Sequence, residues 1–586
     1  MRPVTGRVSS KITTALLAPL PVPDVGRAPA PDGLLHARWL GKVPYREALA
    51  IQHAMVKGVN NHLLLLEHPH VYTLGARANA DHVLIDPATV GAELVTADRG
   101  GDVTYHGPGQ LVGYPILTIA GAGGITDTVR YVRSVEQLLI DALTELGLAD
   151  VGRLDQYPGV WVAPTSAQPR KIAAIGVKLA RHRTMHGFAL NVHPDMSMFD
   201  HIVPCGISDM SVTSLHSEGL AHISMRDVVD VVIRLAGRHW GSDVRNAQVA
   251  WTHRIDDLSP FSRRLESQAD EVDRGEQVNI RLKARLVQAG VTEGLTIGQR
   301  KPEWLRPKVT FGPEFLAVKK RMRSLDLVTV CEEAGCPNIT ECWADGTATF
   351  MINGERCTRA CGFCLIDTNK PKALDPGEPQ RVAQAVAQMG LQFAVITTVA
   401  RDDLDDDGAH AMAATIAAVR AECPGTQIET LISDCRGRAE SLAMIFDARP
   451  DVLNHNLETV ARLQRAVRPS AGYARSLGVL AAAKAAGLTT KSGLIVGMGE
   501  TDDEIIEALT DLAAVGVNIV TIGQYLRPTE AHLPVERWVT PEQFASYAEI
   551  GGSLGIGHLE SSPMTRSSYH ARQAAASPAT LIGSSR

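Results

Sequence analysis

Short apolar runs and longer amphipathic stretches fill residues 34 to 254, and they do not alternate strictly. His62-Leu-Leu-Leu-Leu-Glu67 and Leu111-Val-Gly-Tyr-Pro-Ile-Leu117 read as strands, whereas Val129 to Leu146 reads as a helix. Strands that arrive in runs predict an α+β arrangement rather than a barrel. Farther along, the rhythm changes. Phe393–Thr398, Ile428–Ile432, Val452–His455, Ser492–Val496 and Asn518–Ile522 are apolar runs of strand length, and helical stretches at Arg381–Met389, Tyr473–Ala486 and Thr501–Val515 lie between them. Repeated strand–helix units predict a parallel sheet in a partial or full (β/α) barrel, where functional groups gather at the carboxyl ends of the strands.

Neither pattern runs through residues 255–300, where Arg263, Arg264, Glu266, Asp270, Glu271, Lys283 and Arg285 predict an exposed helical connector. The expected organisation is therefore a tail at 1–33, a first domain at 34–254, the connector at 255–300, a second domain at 301–572 and an Ala- and Ser-rich tail at 573–586. A chain of 586 residues also exceeds what one core organises. The first segment is basic and mildly like a transit peptide, but Pro3, Pro19, Pro21 and Pro23 disfavour the amphipathic helix that targeting needs. A cytoplasmic location is expected, with a mitochondrial one as the alternative. No apolar run reaches the length of a membrane span. With 58 basic and 64 acidic residues, a net charge of −6 argues against nucleic acid as a partner.

Candidate chemistry concentrates in the cysteines, six of which form two triads, Cys331-x4-Cys336-x5-Cys342 and Cys357-x3-Cys361-x2-Cys364. Thiolates select soft metals. Paired C-x2-C knuckles of structural zinc are absent, and the chain is far longer than disulfide-stapled secreted domains. Iron–sulfur is the reading that remains favoured, since a tight three-cysteine loop can hold three irons of a four-iron cluster and leave one open. Cys205 stands apart, in Pro204-Cys-Gly-Ile207. A catalytic thiol needs a nearby cation or helix amino terminus to lower its pKa. Lys171 is a candidate cation, and His106 and His186 are alternative bases, but spacing alone does not bring any of them to Cys205.

Cys357-Thr-Arg-Ala-Cys361-Gly-Phe-Cys364 resembles the signature of the radical S-adenosylmethionine (SAM) enzymes. That resemblance implies SAM chelated at the open iron and split to a 5′-deoxyadenosyl radical. Gly493-Leu-Ile-Val-Gly497-Met-Gly-Glu500 is similar to the superfamily's stretch near the adenosine, which makes Gly497 and Glu500 candidate cofactor-binding residues. The earlier triad, with Val399–Leu404, His455–Thr459, Gln524–Pro528 and Arg566–Tyr569, resembles lipoyl synthase over roughly residues 301–572. The family implies a second [4Fe–4S] cluster on Cys331, Cys336 and Cys342, completed by a serine, Ser568 with Ser567 as its neighbouring alternative, and consumed as the sulfur donor. Ala360, Ser562-Pro563 and Ser433-Asp-Cys435 depart from the usual family pattern. Cys423 and Cys435 lie outside both motifs and are expected to be small hydrophobes.

In the first half, Arg99-Gly-Gly-Asp-Val-Thr-Tyr-His106-Gly-Pro-Gly-Gln110, Lys171–Gly176, His186–Asn191 and Pro204–Ile207 together resemble lipoyl(octanoyl) transferase, an acyltransferase of the biotin/lipoate ligase-like fold. The resemblance implies that Cys205 carries an octanoyl thioester and that Lys171 lowers its pKa. Arg99, Gly100, Gly101, Asp102, Val103, Thr104, Tyr105 and His106 are then expected to line the acyl site. Ala174, Ile175, Gly176, Gly187, Phe188 and Ala189 complete that lining. Together the two resemblances imply a bifunctional protein-lipoylation enzyme. Its expected partners are octanoyl-acyl carrier protein, lipoyl domains of 2-oxoacid dehydrogenase E2 subunits, the glycine cleavage H protein and an electron donor. A chain active in only one half, or an iron–sulfur scaffold or sensor without catalysis, are the competing readings.

Overall fold

The computed structural model describes residues 33–119, 125–180, 182–203, 211–240, 243–246, 301–305, 347–529, 532–568, 571 and 573. The predicted connector, nearly all of both tails, Cys205 and the triad Cys331, Cys336 and Cys342 lie outside those residues.

In the amino-terminal half, strands β1 (Leu34–Lys42), β2 (Asn61–Glu67), β3 (Val71–Leu74), β4 (Glu93–Thr96), β5 (Val103–His106) and β6 (Gln110–Ile116) come first. They are followed by β7 (Val151–Leu154), β8 (Tyr157–Val162), β9 (Arg170–Ala180), β10 (Arg183–Asn191), β11 (Ser211–Val212) and β12 (Asp243–Asn246). One mixed sheet runs β12-β1-β2-β6-β10-β9-β8-β7, β11 joins β9, and a small sheet runs β4-β3-β5. Three helices accompany them, α1 (Tyr45–Met55), α2 (Ile125–Glu145) and α3 (Met225–Trp240). The runs expected as strands at 62–67 and 111–117 are the paired neighbours β2 and β6. The helix expected from Val129 begins earlier, at Ile125.

The carboxy-terminal half carries β13 (Thr347–Ile352), β14 (Phe393–Thr398), β15 (Gln427–Leu431), β16 (Val452–Asn454), β17 (Thr489–Val496), β18 (Ile519–Gln524) and β19 (His558–Ser561). Each strand pairs in parallel with the next in chain order. No pairing among the described residues joins β19 back to β13, so among them the sheet is a partial barrel. Between the strands run α4 (Glu378–Met389), α5 (Ala409–Glu422), α6 (Ala439–Asp447), α7 (Tyr473–Ala485), α8 (Asp502–Ala514) and α9 (Pro541–Ser553). Local signals set several ends: α4 starts with a proline in its first turn and stops at Gly390 in the left-handed region, and α8 opens with a Thr501–Glu504 capping box.

The first sheet buries both faces, and for different reasons. Along β1, Leu35, Ala37 and Trp39 alternate inward against α2 and α3. The intervening His36 and Arg38 therefore point to the opposite face. That face is not solvated, because α1, β2 and β6 on this side share one apolar cluster with α7, α8, β17 and β18 of the other half. Arg38, only 2% exposed, is held there by Asp511 at 3.1 Å and by Glu507. Tyr473 donates to the second Asp511 oxygen at 3.0 Å. Burial opposes the charge on Arg38, but Asp511 and Glu507 outweigh it and raise the Arg38 pKa.

Removing one member of such a buried set strands the others without a counter-charge, at about 3–5 kcal/mol. Arg38→Leu is expected to destabilise the chain by that amount in denaturant unfolding. A loss under ~1 kcal/mol would mean that the two carboxylates reach water.

Candidate functional site

In the amino-terminal half the Arg99 loop and β11 both meet the ladder of β9 and β10. In the ladder between those strands Gly176 faces Gly187, Ile175 faces Phe188 and Ala174 faces Ala189. The Arg99 loop lies over them, with the Gly100 amide donating to the Val177 carbonyl at 3.0 Å. Arg99 is buried and braces its own loop, donating to the Thr73 carbonyl at 2.6 Å and to the Thr73 hydroxyl at 2.8 Å. A Cβ on Gly176 would stand 3.1 Å from the Arg99 side chain and from the Gly100 carbonyl, so the loop packs tightly on a strand that carries no side chain there. Asp102 accepts from the Val103 amide at 2.8 Å and meets His82 at 2.5 Å. Thr104, Tyr105 and His106 form β5, and Gly101 turns the loop with φ at +92°.

Lys171 is buried in β9, its ammonium 4.7 Å from the centre of the Trp161 ring. The face of an indole attracts a cation and fixes where it sits. β11 pairs in parallel with Arg170 and Lys171. That strand starts directly after 204–210, the segment that holds Cys205, so the chain returns to Lys171 a few residues beyond the cysteine. A cavity of about 510 Å³ is lined by Met196, Phe199, Ile202 and Val212 with Ser197, Asp200 and Ser211, residues that come before and after the same segment in sequence. His106 and His186 are otherwise engaged: His106 bonds Gln110 at 2.8 Å, and His186 bonds Asp98 at 2.7 Å. Burial lowers the pKa of both, and hydrogen bonds from Lys178 and His186 bring the Asp98 carboxyl down to about 2 although burial opposes it.

The second site stands at the carboxyl ends of the parallel strands. Cys357 follows β13, Asp402 follows β14, Asp434 follows β15, Asn456 follows β16 and Gly497 follows β17. The loop from Cys357 to Cys364 is pinned along its length. Thr358 donates to the Ala400 carbonyl at 3.0 Å, Gly362 to Val467 at 2.8 Å, and Leu533 back to Gly362 at 2.9 Å. The amides of Arg359 and Ala400 point at the Cys357 sulfur, at 3.4 and 3.3 Å. Amides aimed at sulfur are what a thiolate ligand needs around it. Burial pushes the thiols of Cys361 and Cys364 up to about 11 and about 12, so metal charge is required to hold them as thiolates.

Among the described residues, no three His, Cys, Asp or Glu side chains converge as a single ion would demand. A four-iron cluster takes one thiolate per iron, so three cysteines spread along one loop fit it and fit a mononuclear centre poorly. Both oxygens of the buried Glu500 are engaged within their own turn, by the amide of Gly497 and by that of Met498 at 3.1 Å. Gly497 has φ at +106°, and a Cβ there would meet Gln524 at 2.1 Å, so only glycine fits. Ser567 and Ser568 are half-buried in the turn after β19.

Sequence reasoning missed the clamp formed by His532 to Glu536. His532 bonds the Cys364 carbonyl at 3.0 Å, Leu533 holds Gly362, and the Glu536 amide donates to Gly497 at 2.8 Å, so one segment ties the cysteine loop to the glycine turn. It carries no periodicity of its own, and nothing in the sequence marks it. Cys435 is buried in the apolar core, and Cys423 packs against it.

Family comparisons agree with this division of the chain. The model of the lipoyl protein ligase A/B catalytic domain matches residues 44–235, that of the N-terminal domain of lipoyl synthase matches 277–336, and that of the radical SAM superfamily matches 351–512. The lipoyl synthase of Rubrobacter xylanophilus is 54% identical over 275 residues, covering 47% of this chain and 86% of the relative. That of Kineococcus radiotolerans is 54% identical over 273 residues, covering 47% and 82%. Of solved structures, the bi-partite lipoate protein ligase of Thermoplasma acidophilum aligns with 37% of this chain and 87% of its own at 19% identity, with a TM-score of 0.31. Among the described residues no helix is long and apolar enough to cross a membrane. The chain belongs to the lipoyl synthase family of radical SAM enzymes, and joins to it, in one polypeptide, a lipoyl protein ligase A/B catalytic domain.

Proposed function

We propose that the chain makes protein-bound lipoyl groups in two consecutive steps, octanoyl transfer to a lipoyl-domain lysine and then sulfur insertion at carbons 6 and 8. The observation that carries this reading is the union of a lipoyl synthase half with a ligase or transferase catalytic half.

In the first step the Cys205 thiolate attacks the thioester of octanoyl-acyl carrier protein. The carrier thiol leaves and a thioester to Cys205 forms. The ε-amine of the acceptor lysine then attacks the same carbonyl, an amide forms, and Cys205 departs as thiolate. As the ammonium, Lys171 stabilises that thiolate and gives its proton to the departing carrier sulfur; as the neutral amine so formed it then takes up the proton released by the acceptor amine. Its fixed seat over Trp161, and the return of the chain to β9 just after Cys205, support the assignment. Met196, Phe199, Ile202 and Val212 give the eight-carbon tail apolar contacts in a cavity that Ser197, Asp200 and Ser211 also line, and the bare backbone at Gly176 and Gly187 brings amides close to the reacting carbonyl.

For the second step, SAM bound at a cluster's open iron supplies the carbon radical that unactivated methylene carbons require. Cys357, Cys361 and Cys364 would hold the other three irons, and the turn that Gly497 and Glu500 shape would receive the adenosine. Cys331, Cys336, Cys342 and Ser568 would hold the second cluster, which is the sulfur substrate. A serine oxygen is a harder and weaker ligand for iron than a thiolate, which suits a cluster that is taken apart. The acceptors are lipoyl domains of 2-oxoacid dehydrogenase E2 subunits and the glycine cleavage H protein, and an external donor supplies electrons.

Mass spectrometry of an apo-lipoyl domain incubated anaerobically with octanoyl-acyl carrier protein, SAM, reductant and the enzyme tests both steps. The wild-type chain is expected to give the lipoyl product and Cys361→Ala to stop at octanoyl. Cys205→Ala is expected to leave the domain bare yet still convert one already octanoylated. An unmodified domain from the wild-type chain contradicts the reading. Lys171→Ala is expected to move the alkylation profile of Cys205 to higher pH by about one unit or more, because a thiolate loses its cation. A profile that stays in place sinks the role given to Lys171.

A further inference from the structure

An ion-pair chain crosses from the amino-terminal half to the cysteine loop. Glu47, in α1, accepts from Arg475 Nε of α7 at 3.1 Å. Arg475 Nη1 in turn faces Asp434 Oδ2 at 3.7 Å, and the other Asp434 oxygen meets Arg359 Nη2 at 2.6 Å. Arg359 lies between Cys357 and Cys361, also forks onto Asp402 at 2.8 Å for both contacts, and sends its amide to the Cys357 sulfur. Asp434 is fully buried, and its Oδ2 has no hydrogen-bond partner.

That orphaned oxygen gives the chain its direction. Arg475 stands just beyond hydrogen-bond reach of it while Glu47 engages the opposite edge of the guanidinium. Without Glu47, Arg475 is free to close on Oδ2, and a carboxylate drawn that way turns from Arg359. Two glycines show that the carboxy-terminal half is shaped for this contact. Gly437 has φ at +74°, and a Cβ there would come within 2.3 Å of Glu47 Oε1. Gly478 stands inside α7, where glycine weakens a helix, and a Cβ there would touch the Glu47 backbone carbonyl and Cβ at 3.6 Å. Alanine fits there in ordinary van der Waals contact, and a longer, charged side chain would have to grow toward Glu47.

We propose that Glu47 is a positioning residue for the cysteine loop of the other half, acting through Arg475 and Asp434 on Arg359. The amino-terminal half is then a structural component of the radical site as well as a separate catalyst. The inference rests on Cys357, Cys361 and Cys364 being cluster ligands.

The test uses the full chain with Cys331, Cys336 and Cys342 replaced by Ala, reconstituted with iron and sulfide, so that only one cluster loads. Iron loss to a coloured chelator and the electron paramagnetic resonance line shape of the reduced cluster are the readouts. Hydrogen exchange of α1 and α7 reports whether the halves remain in contact. Glu47→Ala is expected to speed iron loss about fivefold with α1 still protected, the scale of a coupling between residues that share one network. Gly478→Lys is expected to expose α1 and speed iron loss at least as much, and Gly478→Ala to behave as wild type. Iron held and lost at the wild-type rate by Glu47→Ala overturns the inference alone, even if Gly478→Lys is faster. Parent protein that takes up no iron on this loop removes the reading beneath it, and the inference with it.

Discussion

A guanidinium enclosed between two carboxylates, where one half of the chain meets the other, is the constraint on which the rest of the structure hangs. Arg38 lies on the second face of the first sheet, and Glu507 and Asp511 lie on α8. None of the three reaches water, so each depends on the others for its charge. Apolar packing around them is broad and tolerant of small shifts, whereas an ionic set of this kind is satisfied in one register only. It fixes how α1 lies on α7, and α1 carries Glu47 to Arg475. The contact thus reaches the loop of Cys357, Cys361 and Cys364.

Much of this fold was legible in the sequence, and the legible part was local. Phe393–Thr398 was marked end to end by its own apolar run, and α7 by its Ala- and Leu-rich helical stretch between two strand runs, because each sits in one environment along its length. Cysteine spacing was equally direct, since a tight loop is set by its own residues. What the sequence did not reveal was long-range. Alternation in β1 identifies two faces, but it does not say that the polar one meets a second half, and Arg38 and Asp511 are 473 positions apart. Nothing local in the sequence sets Glu47 against Gly478, which come together only in the fold. The clamp at His532–Glu536 escaped for the opposite reason, since it works through backbone groups that every residue possesses.

Joining two catalysts in one chain raises the concentration at which an acceptor released by one meets the other. The contacts described here add a different relation, in which the first catalyst supports the geometry of the second. The loop of Cys357, Cys361 and Cys364 gains from such support, because desolvation pushes the Cys361 and Cys364 thiols up and any metal they hold must draw the protons off. Lys171 in the first half makes no matching demand, since it is seated by Trp161 of its own sheet.

The contact between the halves can be read directly by amine cross-linking. Lys57, just past the end of α1, lies close enough to Lys484 of α7 to help depress its pKa, behind the larger effect of burial. A short amine-reactive cross-linker applied to the full-length protein at low concentration, followed by peptide mass spectrometry of the monomer band, is predicted to join Lys57 to Lys484. Reaction of both lysines with other neighbours but never with each other in that band would contradict the account.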